Sequence, residues 1–171
     1  VTDVSKILPA ELSSFLLDIK PGYDDDPTRA VYNHIWLIGD AEASAQVLLD
    51  TGATPNIKGR GYTPLGLAAK NGNVRLVEML LRAGADPDRK NDDGDTPMHG
   101  AALMGQARVI DALARARPDM RLFNRGGLSP LAVAAANGQY DAAQPLARAG
   151  APLEWGDKKF HPPLWWAFSA G

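Results

Sequence analysis

Hydrophobic positions along the middle of the chain fall into paired short blocks separated by polar punctuation. Leu65, Leu67, Ala68 and Ala69 make one apolar stripe that stops at Asn71-Gly72. A second stripe, Leu76, Val77, Leu80 and Leu81, runs at helical spacing to Arg82 and stops at Gly84. This pattern predicts two helices joined by a tight turn. Thr63 serves the first as N-cap, with Pro64 at its first position, where a missing N–H costs nothing. Gly84 ends the second helix as a left-handed C-terminal residue. The polar run Asp86–Asp93 then forms a long turn.

The same pattern returns every 33 residues. Gly61-Tyr62-Thr63-Pro64-Leu65 recurs as Gly94-Asp95-Thr96-Pro97-Met98 and as Gly127-Leu128-Ser129-Pro130-Leu131, with a worn copy at Phe160-His161-Pro162-Pro163-Leu164. Small pairs keep step at Ala68-Ala69, Ala101-Ala102 and Ala134-Ala135. A period of this length specifies a stacked array rather than a globule around one core. Arg82, Arg115 and Arg148 share the spacing in the last turn of each second helix, where they favour the helix dipole and solvation over a binding ladder.

These residues resemble ankyrin repeats. The family's T-P-L-H signature is matched by Thr96-Pro97-Met98-His99, by Thr63-Pro64-Leu65-Gly66 and by Ser129-Pro130-Leu131-Ala132. Its glycine-alanine-aspartate turn is matched by Gly84-Ala85-Asp86, and in part by Gly52-Ala53 and Gly150-Ala151. The resemblance implies an all-α solenoid of helix-turn-helix units with loop or short β-hairpin connections. Residues 28–171 form the array: a degraded unit at 28–60, full units at 61–93, 94–126 and 127–159, and a half-repeat at 160–171. Residues 1–27 hold a capping helix (9–19) and an acidic turn, Asp24-Asp25-Asp26-Pro27.

The resemblance also implies that protein recognition sits on the concave inner-helix and loop-tip surface. The matching positions are Arg60, Tyr62, Lys70 and Asn71 in the second unit, then Asp92, Asp93, Asp95, Leu103 and Met104 in the third. The fourth supplies Arg125, Leu128, Ala136 and Asn137. Leu103 and Met104 are apolar where this helix end faces solvent, and charged residues surround them; an apolar centre inside a polar rim is the usual anatomy of a protein interface.

Local departures carry their own expectations. Arg117-Pro118 stands where other copies have Gly-Ala, which predicts an altered loop at 116–121, because arginine disfavours left-handed geometry. Pro145 inside a second helix predicts a kink or a late start. Trp165, Trp166 and Phe168 on the half-repeat read as a hydrophobic cap, with a partner-binding patch as the alternative.

Composition adds little chemistry. The 171 residues contain no cysteine and carry a net charge of −2. Residues 1–57 hold nine acids and three bases, net −6, against eleven acids and fifteen bases, net +4, in the remainder. This asymmetry is too mild to indicate nucleic acid. No apolar run reaches the length of a membrane span. His34, His99 and His161 lie whole repeats apart without metal-ligand spacing, and His99 is placed to bond the Thr96 backbone. Gly59-Arg60-Gly61 lacks the lysine of a phosphate loop. The expectation is a non-enzymatic module without cofactor or metal, monomeric when unbound, that binds another protein, with a bacterial toxin-immunity role as one specific version. Alternatives are an accessory factor of an enzyme and a scaffold piece of a longer chain. Cytoplasm and periplasm are equally compatible, and the start at Val1 fits either a removed signal peptide or trimming.

Overall fold

A computed structural model describes residues 41–171 apart from 51, 53, 57–60, 155, 156, 158, 160, 170 and 171. The expected N-terminal capping helix and acidic turn, the first half of the expected degraded unit, and Arg60 fall outside the described residues.

Eight helices follow in order among the described residues: α1 (Ala41–Asp50), α2 (Pro64–Lys70), α3 (Val74–Arg82), α4 (Pro97–Leu103), α5 (Ala107–Ala114), α6 (Pro130–Ala136), α7 (Tyr140–Arg148) and α8 (Pro163–Ser169). They pack in two layers. One layer runs α2, α4, α6, α8 and the other α1, α3, α5, α7, with each unit's own pair packed together. An all-α repeat solenoid is therefore the architecture. An isolated antiparallel bridge between Leu128 and Asp157 links neighbouring loop tips.

The helices of the first layer have only seven residues, too few to persist alone in water. Caps and packing hold them. Thr63 Oγ1 accepts from the Gly66 amide at 3.0 Å, and Ser129 Oγ accepts from Ala132 at 3.3 Å. Each helix then buries its small residues against the next: Ala69, Ala101, Ala102 and Ala134 have no measurable exposure. The second layer buries larger side chains, Leu76, Val77 and Leu80 in α3 and Val109, Ile110 and Leu113 in α5.

The periodic arginines do more than face solvent. Arg115 reaches Glu78 of the preceding unit at 3.0 Å, and Arg148 reaches Asp111 at 3.2 Å. Arg82 shares Glu78 at 3.5 Å. These side chains are largely exposed, so each pair contributes about 0–1 kcal/mol at most. The Arg115 and Arg148 pairs bridge adjacent repeats, whereas the Arg82 pair lies within one helix.

Two local expectations need correction. Arg117 does adopt the left-handed conformation, at φ 53°, in the place taken by Gly84 (φ 87°) and Gly150 (φ 89°). The turn keeps its path: Arg117 N donates to Ala114 O at 3.0 Å, as Gly84 does to Leu81 and Gly150 to Ala147. The next bond is lost, since Ala85 donates to Leu80 and Ala151 to Leu146, whereas Pro118 has no N–H. Repeat stacking on both sides outweighs the local preference of arginine. Of the two outcomes expected at Pro145, a kink or a late start, the late start does not occur. α7 starts at Tyr140, one period after Ala107, and the buried Pro145 ring packs beside the buried Ala142 and Leu146.

Two stability predictions follow from this packing. Ala102→Leu overpacks the contact between first-layer helices and lowers stability by about 1–3 kcal/mol, read by urea unfolding. Arg117→Gly relieves left-handed strain of about 1–2 kcal/mol, less the chain entropy that glycine adds, for a net gain of about 0.5–1 kcal/mol. A loss of stability on Arg117→Gly would show that the arginine side chain itself holds the turn.

Candidate protein-binding surface

Loop tips on the first-layer side are built by a repeated device. Asn91 Oδ1 accepts from the amides of Asp93 (2.9 Å) and Asp95 (2.8 Å). One period later, Asn124 Oδ1 accepts from Leu128 N at 3.0 Å. One period later again, Asp157 Oδ1 accepts from Lys159 N at 2.8 Å and His161 N at 2.9 Å. A side chain with an sp² oxygen at this place folds each tip into the same shape.

Adjacent tips are then laced together. Asp92 N donates to Gly61 O at 2.8 Å, and Arg125 N donates to Asp93 O at 2.9 Å. The second contact requires glycine at 94, because a Cβ there would stand 2.8 Å from Arg125 N. Asn124 Nδ2 also donates to Asp95 Oδ1 at 2.8 Å.

His99 ties the third unit to the fourth from within. It is fully buried. Thr96 N donates to its Nδ1 at 3.2 Å, and its Nε2 lies 3.0 Å from the Leu128 carbonyl, which fixes the proton on Nε2. The Thr96 hydroxyl is 2.8 Å from Nδ1. Burial pushes the ring's pKa below its ordinary value, against the Leu128 carbonyl and the Asp95 carboxylate, which favour the proton.

Against this frame the predicted contact residues separate into groups. Tyr62, Lys70, Asp93, Asp95 and Leu103 line one cavity of about 140 Å³ between the second and third units, over Gly66 and Gly100. The space exists because those two helix positions carry no side chain. Lys70 Nζ stands 3.5 Å from Tyr62 Oη and 5.2 Å from the ring centroid, a loose cation–aromatic contact. Leu103 is half-buried and packs on the core, and Met104 beside it is 49% exposed.

Asn71, Met104 and Asn137 occupy equivalent positions, each the C-cap of a first-layer helix. Asn137 turns its amide back to Val133 O at 2.8 Å. A methionine cannot make that bond, so the row Asn–Met–Asn presents one apolar side chain at its centre.

Other predicted residues stand differently. Leu128 is not a free contact: it is half-buried against the core and its carbonyl is held by His99. Arg125 lies apart from the Tyr62–Lys70 cavity and lines a second one of about 300 Å³ with Lys159, His161 and Trp165. Sequence reasoning did not single out Lys159, or the Asn91, Asn124 and Asp157 brackets, although the brackets' 33-residue spacing was visible.

Two layers of short capped helices, repeated at 33 residues and laced at their tips, define a helical repeat protein. A model of ankyrin repeats (3 copies) matches residues 14–91 and 66–157, and the chain belongs to the ankyrin-repeat family. The ankyrin repeat and KH domain-containing protein mask-1 of Caenorhabditis elegans is 45% identical over 58 residues, 33% of this chain. The palmitoyltransferase AKR1 of Kluyveromyces lactis is 35% identical over 92 residues, 52% of this chain. The matched stretches make up 2% and 12% of those relatives' lengths. Among the described residues, no helix is long and apolar enough to cross a membrane, and no cluster of His, Asp or Glu could hold a metal ion.

A buried neutral histidine makes stability depend on pH. In the unfolded chain the ring gains a proton near its ordinary pKa of about 6.5, which the folded chain resists. The His99 contribution is therefore complete above that value and declines as pH falls through it. Urea midpoints should drop between pH 7.5 and pH 5, and His99→Gln should shrink that drop. Equal midpoints for the parent would mean that the fold accepts a charged ring.

Proposed function

We propose that this array is a binding module with no catalytic step of its own, which holds a partner protein on its first-layer and loop-tip face. The single observation that carries the reading is Met104. It is 49% exposed in a row otherwise held by asparagine, next in sequence to Leu103, which lines a cavity with Tyr62, Lys70, Asp93 and Asp95. An apolar anchor next to a polar-rimmed recess is the arrangement in which a few residues carry most of the affinity. Asn71 and Asn137 flank it along the row, and Asp92 extends the acidic rim. Such a recess suits an apolar side chain of the partner followed by a basic one. The free chain acts as a monomer in this reading.

A second reading is favoured by the palmitoyltransferase match: the array as an accessory module beside a catalytic unit in a longer chain. The toxin-immunity version draws no support from either relative's name.

The test is retention of a partner from source-cell extract on immobilised parent, followed by affinity measurement with variants. Met104→Asp places a charge in a desolvated contact and should weaken binding at least tenfold, mostly through faster dissociation. Arg82→Ala and Arg148→Ala, on the other layer, should stay within about twofold of the parent. Full affinity in the Met104 variant with loss in the arginine variants would move the site to the second layer.

A further inference from the structure

The second cavity, of about 300 Å³, lies at the junction of the fourth unit and the half-repeat. Gly126 and Gly127 floor it, and Arg125, Lys159, His161 and Trp165 surround it. Among the described residues, the one acid in its lining, Asp157, is spent internally. It is only 5% exposed, and its oxygens take the Lys159 and His161 amides and His161 Nδ1, the last at 2.7 Å. Burial opposes this charge, but those hydrogen bonds prevail and hold the carboxyl below the usual carboxylate range.

The cavity is therefore cationic in effect. Arg125 and Lys159 are exposed, and neither forms an ion pair among the described residues. Trp165 supplies an apolar wall. Its ring stacks on His161 with centroids 4.4 Å apart and planes 15° apart, and the residue remains 46% exposed. Asp157 holds His161, and His161 presents the tryptophan, so the aromatic wall is braced rather than loose.

We propose that this cavity receives an acidic segment of a partner protein, with a carboxylate between Arg125 and Lys159 and an adjacent apolar side chain against Trp165. Arg125 offers a planar fork that matches a carboxylate, and Lys159 offers a point charge. A peptide suits the cavity better than a bare anion, because the aromatic wall adds a contact that an inorganic ion leaves unused. Arg125 also joins this cavity to the acidic tip of the preceding unit through its amide bond to Asp93 O. The preceding tip carries Asp93, so the two ends of the surface differ in charge.

The test uses fluorescence anisotropy with a labelled peptide of glutamates flanked by phenylalanines. The same peptide with lysines and a ten-nucleotide oligothymidylate serve as comparisons. The glutamate peptide should bind the parent, and affinity should fall at least tenfold in Arg125→Glu/Lys159→Glu and about threefold in Trp165→Leu. Arg82→Ala should bind like the parent, and circular dichroism melts should show that the charge variants stay folded. Failure of the glutamate peptide to bind, or equal affinity after charge reversal, would overturn the proposal. Tighter binding of the oligothymidylate, lost in the same charge variant, would reassign the cavity to a phosphate backbone. No ligand of the Met104 surface is used, so failure here leaves that reading standing.

Discussion

Everything in this molecule depends on how closely the first-layer helices approach. Ala68, Ala69, Ala101, Ala102 and Ala134 set that distance, because a methyl group is all that fits between neighbouring units. Close approach brings successive loop tips within hydrogen-bonding range, as the Asp92–Gly61 and Arg125–Asp93 amide bonds require. It also lets His99 of one unit reach the Leu128 carbonyl of the next. The candidate surface is thus a by-product of core packing. Loops with no regular strand among the described residues are held tip to tip because the helices beneath them pack closely.

The array was largely legible in the sequence because its physics is local and repeated. A cap, a proline, an alanine pair and a left-handed glycine each specify their turn without reference to distant chain. What was not legible depends on neighbours. Arg117 read as a break in the pattern because its intrinsic preference opposes φ 53°, yet stacking on both sides holds it there. Pro145 read as a helix defect, but its ring is buried among the residues that dock α7. The arginine series read as solvated, since only a three-dimensional register shows that a residue 37 positions back lies within reach.

The candidate surface divides in the same way. Met104 was identifiable as an apolar residue at a solvent-facing helix end. Leu128 looked equivalent to Tyr62 and Asp95 by register, yet its side chain turns to the core, because an aliphatic group at a tip with no polar partner is better buried. Arg125 was placed only by register, as part of the fourth unit's share of the surface, whereas its side chain lines the second cavity with Lys159, His161 and Trp165. Periodicity assigns a residue to a loop tip. Only packing decides which side of the tip it serves.

The bracket at the loop tips changes chemistry along the chain: Asn91 and Asn124 are neutral amides, and Asp157 at the same place is an acid. An amide accepts backbone hydrogen bonds at any pH. A carboxylate accepts them fully only while ionised, so the part of the bracket energy drawn from its charge is present above the unfolded carboxyl pKa and vanishes as pH falls through the lower folded value. Acid therefore weakens the last described tip at its bracket, whereas the Asn91 and Asn124 brackets keep their hydrogen bonds and the inner units lose stability through His99 instead. Since each unit leans chiefly on its neighbours, the array carries two separate acid-sensitive points, a ring buried between inner units and a carboxylate bracket at the last described tip.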